Sequence, residues 1–388
     1  MAEARMFLAP DYAPDFHCKC GACRHTCCTG WEVTVTLADY FRLLSVPCSP
    51  ALRRRLDTAL HLVENPSEER YACILPDWQG RCPMQRADGL CALECECGAE
   101  ALSLTCRMFP RGVRTADGDE YSCSGACEAV LEALFAREAP LAFHPVPLTV
   151  EAPLPPPLVT GEAARESRAI RQLCRLMLQR RAWSLPQRIL GLERLLTAIA
   201  AAPTARLAAA RHAFELPEAP FPAEVPPLAA LEYRRRIALR LMDGSASLRE
   251  YLPETLAALG LTADAPAGEE ALAASRAALA RFAGRFPAWE VYAEHMLVNH
   301  VFYRGFPYTE HPAAPAEGAL SLAAVYAMLR LLAVGWTAEH PRQEDLVDVC
   351  AAALRLMEHS SFDWNALVLL EQSGLPRQEA LARLLQGL

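Results

Sequence analysis

Apolar residues recur every three to four positions from about residue 161 onward, which is the period of one face of an α-helix. The pattern predicts helices over 162–181, 186–201, 203–214, 227–242, 246–259, 268–284, 287–303, 319–335, 342–358 and 376–387. Proline and glycine punctuate these helices, and no fixed repeat period of about 34–47 residues emerges. The region is therefore predicted to be an irregular helical bundle rather than a regular solenoid.

The first 138 residues follow a different pattern, with short helical windows separated by glycine-containing turns. Helices are predicted from Thr36 to Leu44, over Ala51–Val63, and after Cys127. Seven prolines in the nineteen positions 139–157 exclude a helix there and favour an extended segment that crosses the surface. We therefore predict a mainly α protein with a small irregular cysteine-rich domain (1–138), a Pro-rich crossing segment (139–160) and an all-helical domain (161–388).

Composition narrows the class of protein. The 388 residues are 52% hydrophobic and 22% charged, and the formal net charge is −8, which argues against a general nucleic-acid binder. The N-terminus has no apolar run typical of a signal peptide, and no stretch reaches the roughly 18 uninterrupted apolar residues of a membrane span. A cytoplasmic protein without nucleic-acid or membrane partners is expected, and oligomeric state stays open.

Cysteine is the most unevenly distributed residue. Fourteen of the sixteen cysteines lie in the first 127 residues, and the densest group spans 18–28. In a reducing compartment, clustered cysteines favour metal binding or redox chemistry over disulfides. Short spacings such as Cys20-x2-Cys23 let one turn present two thiolates, which suits zinc and iron–sulphur clusters almost equally.

Other cysteines are weaker candidates for metal ligands. Those in apolar or helical contexts are predicted to pack in the core, namely Cys48, Cys73, Cys174 and Cys350. Four more stay undecided: Cys20, Cys95, Cys97 and Cys123. The sequence lacks a strand followed by Gly-x-Gly-x-x-Gly, a phosphate loop, and the Cys-x3-Cys-x2-Cys order of radical cluster enzymes. Those three classes are not supported.

Three side chains beside the cysteines are candidates for cofactor binding. Arg107 and Arg111 flank Cys106 closely enough to hydrogen-bond a cluster sulphur or an anionic cofactor group, although each could equally be an ordinary ion-paired arginine. Trp31 follows the pair Cys27-Cys28. It is interpreted either as a lid of the core or as a substrate contact.

The order of these residues resembles the flagellin lysine N-methylase family. The resemblance rests on Phe16-x-Cys18-x4-Cys23-x3-Cys27-Cys28-x2-Trp31, Gly80-x-Cys82-Pro83, Leu90-Cys91 and Cys106-x2-Phe109-Pro110-Arg111. It covers about residues 10–130 and is looser beyond, where Asn299–Pro307 looks like the family's later aromatic segment. The sequence departs from the family where Ala126-Cys127-Glu128 lacks the usual proline, and Cys20, Cys95 and Cys97 are additional.

The resemblance implies a protein lysine N-methyltransferase that acts on flagellin or another protein substrate. It also implies S-adenosylmethionine as methyl donor and a 4Fe–4S cluster, with zinc as the alternative, in the cysteine domain. Carried over by position, the metal ligands are drawn from Cys18, Cys23, Cys27, Cys28, Cys82, Cys91, Cys106 and Cys127.

Catalytic candidates outside the cysteines lie in the segment 289–308. Lysine methylation needs a deprotonated amine, an in-line methylsulphonium and exclusion of water, and aromatic groups favour the sulphonium cation. The predicted catalytic residues are Tyr292, His295, His300 and Tyr303. On a helix, Tyr292, His295 and Tyr303 share a face that would line a pocket against the cysteine domain. Ordinary amphipathic packing is the alternative.

Two other functions remain open at this stage. A non-catalytic zinc or iron–sulphur module with a helical partner-binding surface would show metal-dependent folding but no affinity for a methyl donor. An electron-transfer or metal-handling protein would show redox cycling with a partner and no methyl transfer.

Overall fold

A computed structural model describes residues 4–149, 154, 156–218, 220–308 and 315–387. These residues form sixteen α-helices and seven short strands, so the chain is mainly helical, as predicted. Every strand lies before residue 149. Part of the predicted Pro-rich segment, residues 150–153 and 155, lies outside the described residues.

The N-terminal elements alternate between strands and short helices. The strands are β1 (Arg5–Pro10), β2 (Val33–Val35), β3 (Leu60–Leu62), β4 (Ala72–Ile74), β5 (Arg111–Arg114), β6 (Glu120–Cys123) and β7 (Phe143–Leu148). The helices between them are α1 (Leu37–Ser45), α2 (Pro50–Ala59), α3 (Ala92–Cys97), α4 (Leu104–Met108) and α5 (Glu128–Phe135). Caps fix two of these helices, because Thr36 and Ser49 accept hydrogen bonds from the backbone of the first turns of α1 and α2.

The remaining helices run almost without interruption. They are α6 (Gly161–Leu178), α7 (Leu185–Ala201), α8 (Arg206–Glu215), α9 (Pro227–Leu241), α10 (Tyr251–Ala258), α11 (Glu269–Arg285), α12 (Trp289–Tyr303), α13 (Glu317–Glu339), α14 (Gln343–His359), α15 (Phe362–Gln372) and α16 (Arg377–Leu385). Ten were predicted within a few residues. The sequence pattern missed α15, whose first residues are the poor helix formers Phe362, Asp363, Trp364 and Asn365.

The larger sheet has the order β5-β6-β1-β7. β1 pairs with β6 in parallel and with β7 in antiparallel register. β7 carries Pro145 and Pro147 and lies at the sheet edge, where a residue without an N–H group costs no ladder hydrogen bond. The extended conformation predicted from the prolines is therefore that of an edge strand.

A second sheet, of order β2-β4-β3, builds a separate small core. The helix predicted over 51–63 ends at Ala59, because Leu60–Leu62 pair with β4 instead. The buried side chains of this core all lie between Val33 and Leu102. We refer to it as the small core.

The large core unites the helices with β1, β6 and α5. Its members include Phe7, Tyr12 and Cys123 from the N-terminal part, packed with side chains of α6 to α16. α13 runs through the middle. By length and composition it is the one helix of the described residues that could cross a membrane, but 94% of its most apolar window is buried inside the protein.

Candidate functional site

Four cysteine thiols near the small core lie close enough for their charges to interact. We call Cys28, Cys82, Cys91 and Cys106 the inner thiol group. Desolvation raises the pKa of Cys82 to about 12 and the pKa of Cys106 to about 11, and the nearby Cys28 adds to both increases. Cys106 nevertheless keeps solvent exposure. Because each thiolate disfavours the next, a cation among them would stabilise all four.

Short backbone pairings assemble the inner thiol group. Cys82 N donates to Cys28 O at 2.7 Å, and Ala92 N donates to Met84 O at 2.7 Å. The first pairing joins the segment 28–30 to 80–82, and the second folds 91 back onto 84–85. The segment 28–30 is thereby held beside the segment 80–91, which is distant in sequence, and this is how loops supply ligands to one centre.

Backbone N–H groups point at two of these thiols. Cys82 accepts a hydrogen bond from Met84 N–H, and Cys91 accepts from the N–H groups of Glu94 and Leu93 at the start of α3. N–H groups at a helix start favour negative charge on sulphur. They act against the desolvation that raises the pKa values of Cys82 and Cys91, and they prepare these thiols to become thiolate ligands.

Cys27 and Cys28 are neighbouring thiols joined by a side-chain hydrogen bond. The Cys27 thiol donates to the Cys28 sulphur, which raises the pKa of Cys27 and lowers the pKa of Cys28. Thr26 and the Arg355 guanidinium act in the same direction on Cys28. Cys28 interacts with all three of the other inner thiols, whereas Cys27 interacts with Cys106 alone among them.

The inner thiol group fits a metal centre by the type and proximity of its donors. Four thiolates suit an iron–sulphur cluster or zinc. Among the residues that the structure describes, no three or more His, Cys, Asp or Glu side chains are placed so that they could hold one metal ion. The four side chains would therefore have to close on the metal when it binds.

Three other predicted ligands belong to an outer thiol group at the start of α5. Its members are Cys18, Cys23 and Cys127, whose charges interact, together with Cys20, whose backbone N donates to the Cys18 sulphur at 3.3 Å. Desolvation, and next the carboxylate of Glu128, raise the pKa of Cys23 to about 12. Seven of the eight predicted ligands thus divide between two groups, and Cys20 joins the outer one. The eighth, Cys27, is hydrogen-bonded to Cys28 beside the inner group.

An ion-pair network surrounds the outer thiol group. Glu128 accepts from Lys19 Nζ at 2.7 Å and from the backbone of Arg24 and His25. Arg24 also pairs with Asp348 of α14 at 2.8 Å. These contacts clamp the cysteine segment onto the helical part of the chain.

Of the four cysteines predicted to lie in the core, three are buried: Cys73, Cys174 and Cys350. Cys48 is only partly buried and lies near Cys97, outside both thiol groups. Cys123 is fully buried at the end of β6 in the larger sheet, and Cys95 is exposed on α3.

Aromatic rings lead away from the inner thiol group. The Trp31 indole donates to Cys27 O at 2.7 Å, and its ring meets Phe109 and His359 edge-on with centroids 4.9 and 4.6 Å away. Burial lowers the pKa of His359 to about 4. His359 is therefore a neutral imidazole at pH 7. The aromatic wall formed by Trp31, Phe109 and His359 thus ends in a ring whose nitrogens can take part in hydrogen bonds.

A buried carboxylate adjoins the aromatic wall. Glu358 accepts from Ser124 Oγ at 2.6 Å and Gly125 N at 2.9 Å, and lies 3.2 Å from His300 Nδ1. Burial alone would raise the pKa of Glu358, but the interactions with His300 and Ser124 hold it below its usual value. Ser124 Oγ also lies 2.9 Å from His359 Nε2. A continuous polar chain therefore runs from His359 to His300.

A cavity of about 260 Å³ opens beside Glu358. One wall is the β5–β6 hairpin, including Gly112, and the other is the end of α12 with Phe302 and Tyr303. A Cβ atom on Gly112 would lie 2.6 Å from the Tyr303 ring, so glycine is needed for this close approach. Burial, and next the charge of Glu358, raise the pKa of Tyr303 well above its usual value, so the phenol stays protonated.

The four predicted catalytic residues all lie on α12, but they occupy two different environments. Tyr292 stacks on Phe135 with ring centroids 4.4 Å apart. His295 is fully buried, and its Nδ1 and Nε2 lie 2.9 and 3.0 Å from the carbonyls of Leu134 and Ala139. His300 and Tyr303 instead belong to the Glu358 network and the cavity wall. The structure therefore brings only the second pair together.

The predicted cofactor-binding residues also separate. Trp31 lies in the aromatic wall beside the inner thiol group. Arg107 pairs with Glu100 at 3.3 Å. Arg111 stacks over the Phe16 ring at 5.2 Å and interacts with Tyr121. Both arginines thus have protein partners.

Sequence reasoning missed Ser124, Glu358 and His359. Glu358 and His359 stand at the end of the predicted helix 342–358, and an acid–histidine pair at a helix end is the one local signal that marks them. Nothing near Ser124 indicates that it would meet them, because 234 residues separate Ser124 from Glu358.

Fold and site together define a mainly helical protein with a cysteine-rich centre clamped to its helices. Comparison with known proteins identifies the family within this class. The model of the FliB lysine N-methylase C-terminal domain matches residues 224–383. The flagellar biosynthetic protein FliU of Salmonella muenchen is 32% identical over 123 residues, which are 31% of this chain and 72% of FliU. The chain belongs to the flagellin lysine N-methylase family.

Two longer relatives carry the name lysine-N-methylase. The protein of Salmonella choleraesuis is 32% identical and that of Salmonella typhimurium 31% identical, each over 122 residues. The match covers 31% of this chain and 30% of each relative, so less than a third of their length is aligned. No solved structure matches the chain.

Proposed function

We propose that the chain is a protein lysine N-methyltransferase that acts on flagellin, takes its methyl group from S-adenosylmethionine and carries an iron–sulphur cluster. The observation that carries the proposal is family membership, since two relatives are named lysine-N-methylase and a third is a flagellar biosynthetic protein. Its free thiols suit the reducing cytoplasm, where we place the enzyme.

The inner thiol group is the proposed binding site for the cluster. Cys28, Cys82, Cys91 and Cys106 would hold a 4Fe–4S cluster, because all four donors are soft thiols and backbone N–H groups already favour charge on two of them. When bound, the cluster would supply a redox-active metal surface next to the aromatic wall. Zinc is the alternative metal for the same donors.

The cavity beside Glu358 is the proposed slot for the substrate lysine. Its volume of about 260 Å³ is below the roughly 300–1,000 Å³ of pockets for whole cofactors, so it suits a single long side chain. Phe302 and Tyr303 offer apolar surface to the lysine methylenes. The lining pairs two carboxylates, Glu120 and Glu358, with Arg114 and Arg304, and Glu358 is the carboxylate that would bind the lysine ammonium group.

Methyl transfer requires the lysine nitrogen to lose a proton. The nitrogen lone pair forms the new N–C bond as the S–C bond of the sulphonium breaks, and the excess proton must leave the amine. The proposed exit for this proton is the polar chain that begins at the Glu358 carboxylate in the cavity and runs through Ser124 to His359. Tyr303 stays protonated, so its role would be to donate a hydrogen bond and position the amine.

The proposal is tested by anaerobic purification followed by iron, sulphide and zinc analysis, and by calorimetric titration of S-adenosylmethionine. Mass spectrometry then measures methyl groups added to flagellin lysines. We expect iron and sulphide at about four per chain, saturable donor binding and methylated flagellin. Zinc without donor binding would refute the proposal and favour a non-catalytic metal module.

Matched cysteine variants assign the cluster to its residues. Cys82→Ser removes an inner thiol and is expected to abolish iron binding. Cys97→Ser removes a thiol that belongs to neither group, since Cys97 contacts Pro47 O at 3.6 Å and lies near Cys48. Equal iron loss in both variants would refute the assignment to the inner thiol group.

A further inference from the structure

A groove of about 680 Å³ crosses the outer face of the small core, away from the cavity beside Glu358. One side is the exposed face of α2, with Arg54 and Arg55. The other side is the turn after β4, with Leu75 and Pro76, and Pro83 closes one end. The groove therefore combines a charged side with an apolar side.

The charged side carries two arginines without a partner. Arg54 and Arg55 are exposed, and neither guanidinium has an ion pair or hydrogen bond to any part of the chain that the structure describes. Arg53, one residue earlier, instead binds Asp57 and Leu43 O. Two free positive charges in a chain of net charge −8 form a local site for an anionic group.

The acid on the opposite side does not neutralise these arginines. Asp77 accepts hydrogen bonds from the backbone N–H groups of Gln79 and Arg81, and pairs with the Arg81 side chain. Its carboxylate is thus already satisfied within its own turn. The groove keeps a net positive side for a ligand to neutralise.

Beside the groove, β3 is an edge strand. It pairs only with β4 within the described ranges, and Leu75 N donates to Ala59 O while Val63 N donates to Tyr71 O. Because antiparallel pairing alternates, the N–H and C=O groups of Leu62 point away from the sheet. An extended peptide can add to such an edge by main-chain hydrogen bonds.

Apolar side chains surround the open edge. Trp78 is 87% exposed and Leu62 is 60% exposed, although both are large and apolar. Leu75, within the groove, is 38% exposed. Tryptophan contributes more than most residues to binding energy when a partner covers it. Leu62 and Trp78 each follow a residue that lines the groove, so the open strand edge and the exposed apolar surface lie on chain segments that border it.

We propose that this groove docks an extended, acidic segment of a polypeptide, with carboxylates on Arg54 and Arg55, apolar side chains against Leu75 and Trp78, and main-chain bonds to Leu62. The identity of that polypeptide as the methylated protein rests on the proposed function. Pro83 follows Cys82 directly, so a docked substrate would be held beside the segment that carries the inner thiol group.

The probe is a fluorescein-labelled synthetic peptide in which glutamate alternates with valine, and its binding to the full chain is measured by fluorescence anisotropy. We expect saturable binding that weakens with salt, and no binding of a peptide with lysine in place of glutamate. The double variant Arg54→Glu/Arg55→Glu should bind the glutamate peptide about tenfold more weakly or worse. Trp78→Ser should bind it a few-fold more weakly.

The matched control is Arg211→Glu/Arg276→Glu, which reverses two exposed arginines on α8 and α11 that also have no ion pair with described residues. It should bind the peptide as the unaltered chain does. Equal binding of the two peptides, or unchanged binding by the Arg54/Arg55 variant, would overturn the proposal.

Flagellin methylation separates this inference from the proposed function. If the unaltered chain binds the glutamate peptide but methylates no protein, the groove stands and the methyltransferase proposal fails. If the Arg54→Glu/Arg55→Glu variant methylates flagellin with an unchanged KM, the methyltransferase proposal stands and docking of the substrate in this groove is refuted.

Discussion

The small core and the large core are held together by different means. The small core has twelve buried apolar side chains, which lie on two short strands, three helices and the segments between them, with the inner thiols in the loops around it. The large core has α13 at its centre, which is buried along nearly its whole length. Few buried side chains give little hydrophobic stabilisation, so the small core needs another source of stability.

This difference indicates where a bound metal would affect stability. A metal on the inner thiol group would cross-link the segments 28, 82–91 and 106, which enclose the small core. The large core needs no such cross-link, because its helices bury one another. The candidate site lies at the junction, since Trp31 and Phe109 come from the cysteine-rich part and Glu358 and His359 come from α14.

Loss of metal should produce the largest contrast. In Cys82→Ser, or after chelation of the unaltered chain, we expect the local unfolding free energy of β2 to β4 to fall by about 5 kcal/mol, because metal binding is coupled to folding. The amides of α13 should keep their protection. Hydrogen exchange read by mass spectrometry measures both regions. Equal loss of protection in β4 and α13 would show that the cores are one unit.

The same Leu→Ala truncation should destabilise a smaller part of the chain in the small core than in the large core. Leu56→Ala and Leu332→Ala each remove a fully buried leucine, and each should cost about 3 kcal/mol. Leu56→Ala should destabilise only the small core, whereas Leu332→Ala should lower protection throughout the helices. Urea unfolding followed by hydrogen exchange distinguishes them. The conservative variants Leu56→Met and Leu332→Met should cost less than about 1.5 kcal/mol.

The helical half of the fold was predictable because its signal is local. Apolar residues at a period of 3.6 and punctuation by Pro186, Pro227 and Gly268 place the helices within a few residues. The small strands were not predicted. β3 follows α2 without a break, and only its pairing with β4, more than ten residues later, makes Leu60–Leu62 extended.

The candidate site was predictable in its residue types but not in its partners. Spacing and family resemblance select the cysteines, and the aromatic segment selects His300 and Tyr303. The division of the cysteines into two groups depends on pairings such as that of Cys28 with Cys82, and the polar network depends on contact between Ser124 and Glu358. Such long-range contacts leave no local pattern in the sequence.

Arg355 tests how strongly the two parts are joined. It is buried on α14, donates to Thr29 O at 2.7 Å and more weakly to Thr26 O and Ala126 O, and covers the Trp31 ring. Arg355→Met should cost about 2 kcal/mol, because the carbonyls lose a charged donor.

The expected damage from Arg355→Met is local. Exchange of the segment 23–31 should accelerate, while the amides of α13 stay protected. Arg285→Met is the control, since Arg285 donates to Thr337 O within the helical part. If both variants expose 23–31 equally, Arg355 has no special role in joining the two parts.

Tyr303 tests the smallest difference, that between the two ends of α12. Tyr303→Phe removes a hydroxyl in the cavity wall and should slow flagellin methylation about tenfold, or 1.4 kcal/mol, through kcat rather than KM. Tyr292→Phe removes the same hydroxyl near Phe135 and should leave the rate unchanged. Gly112→Ala should mimic Tyr303→Phe, because its Cβ would displace the Tyr303 ring. Equal rates for Tyr303→Phe and Tyr292→Phe would mean that the cavity does not position the substrate lysine.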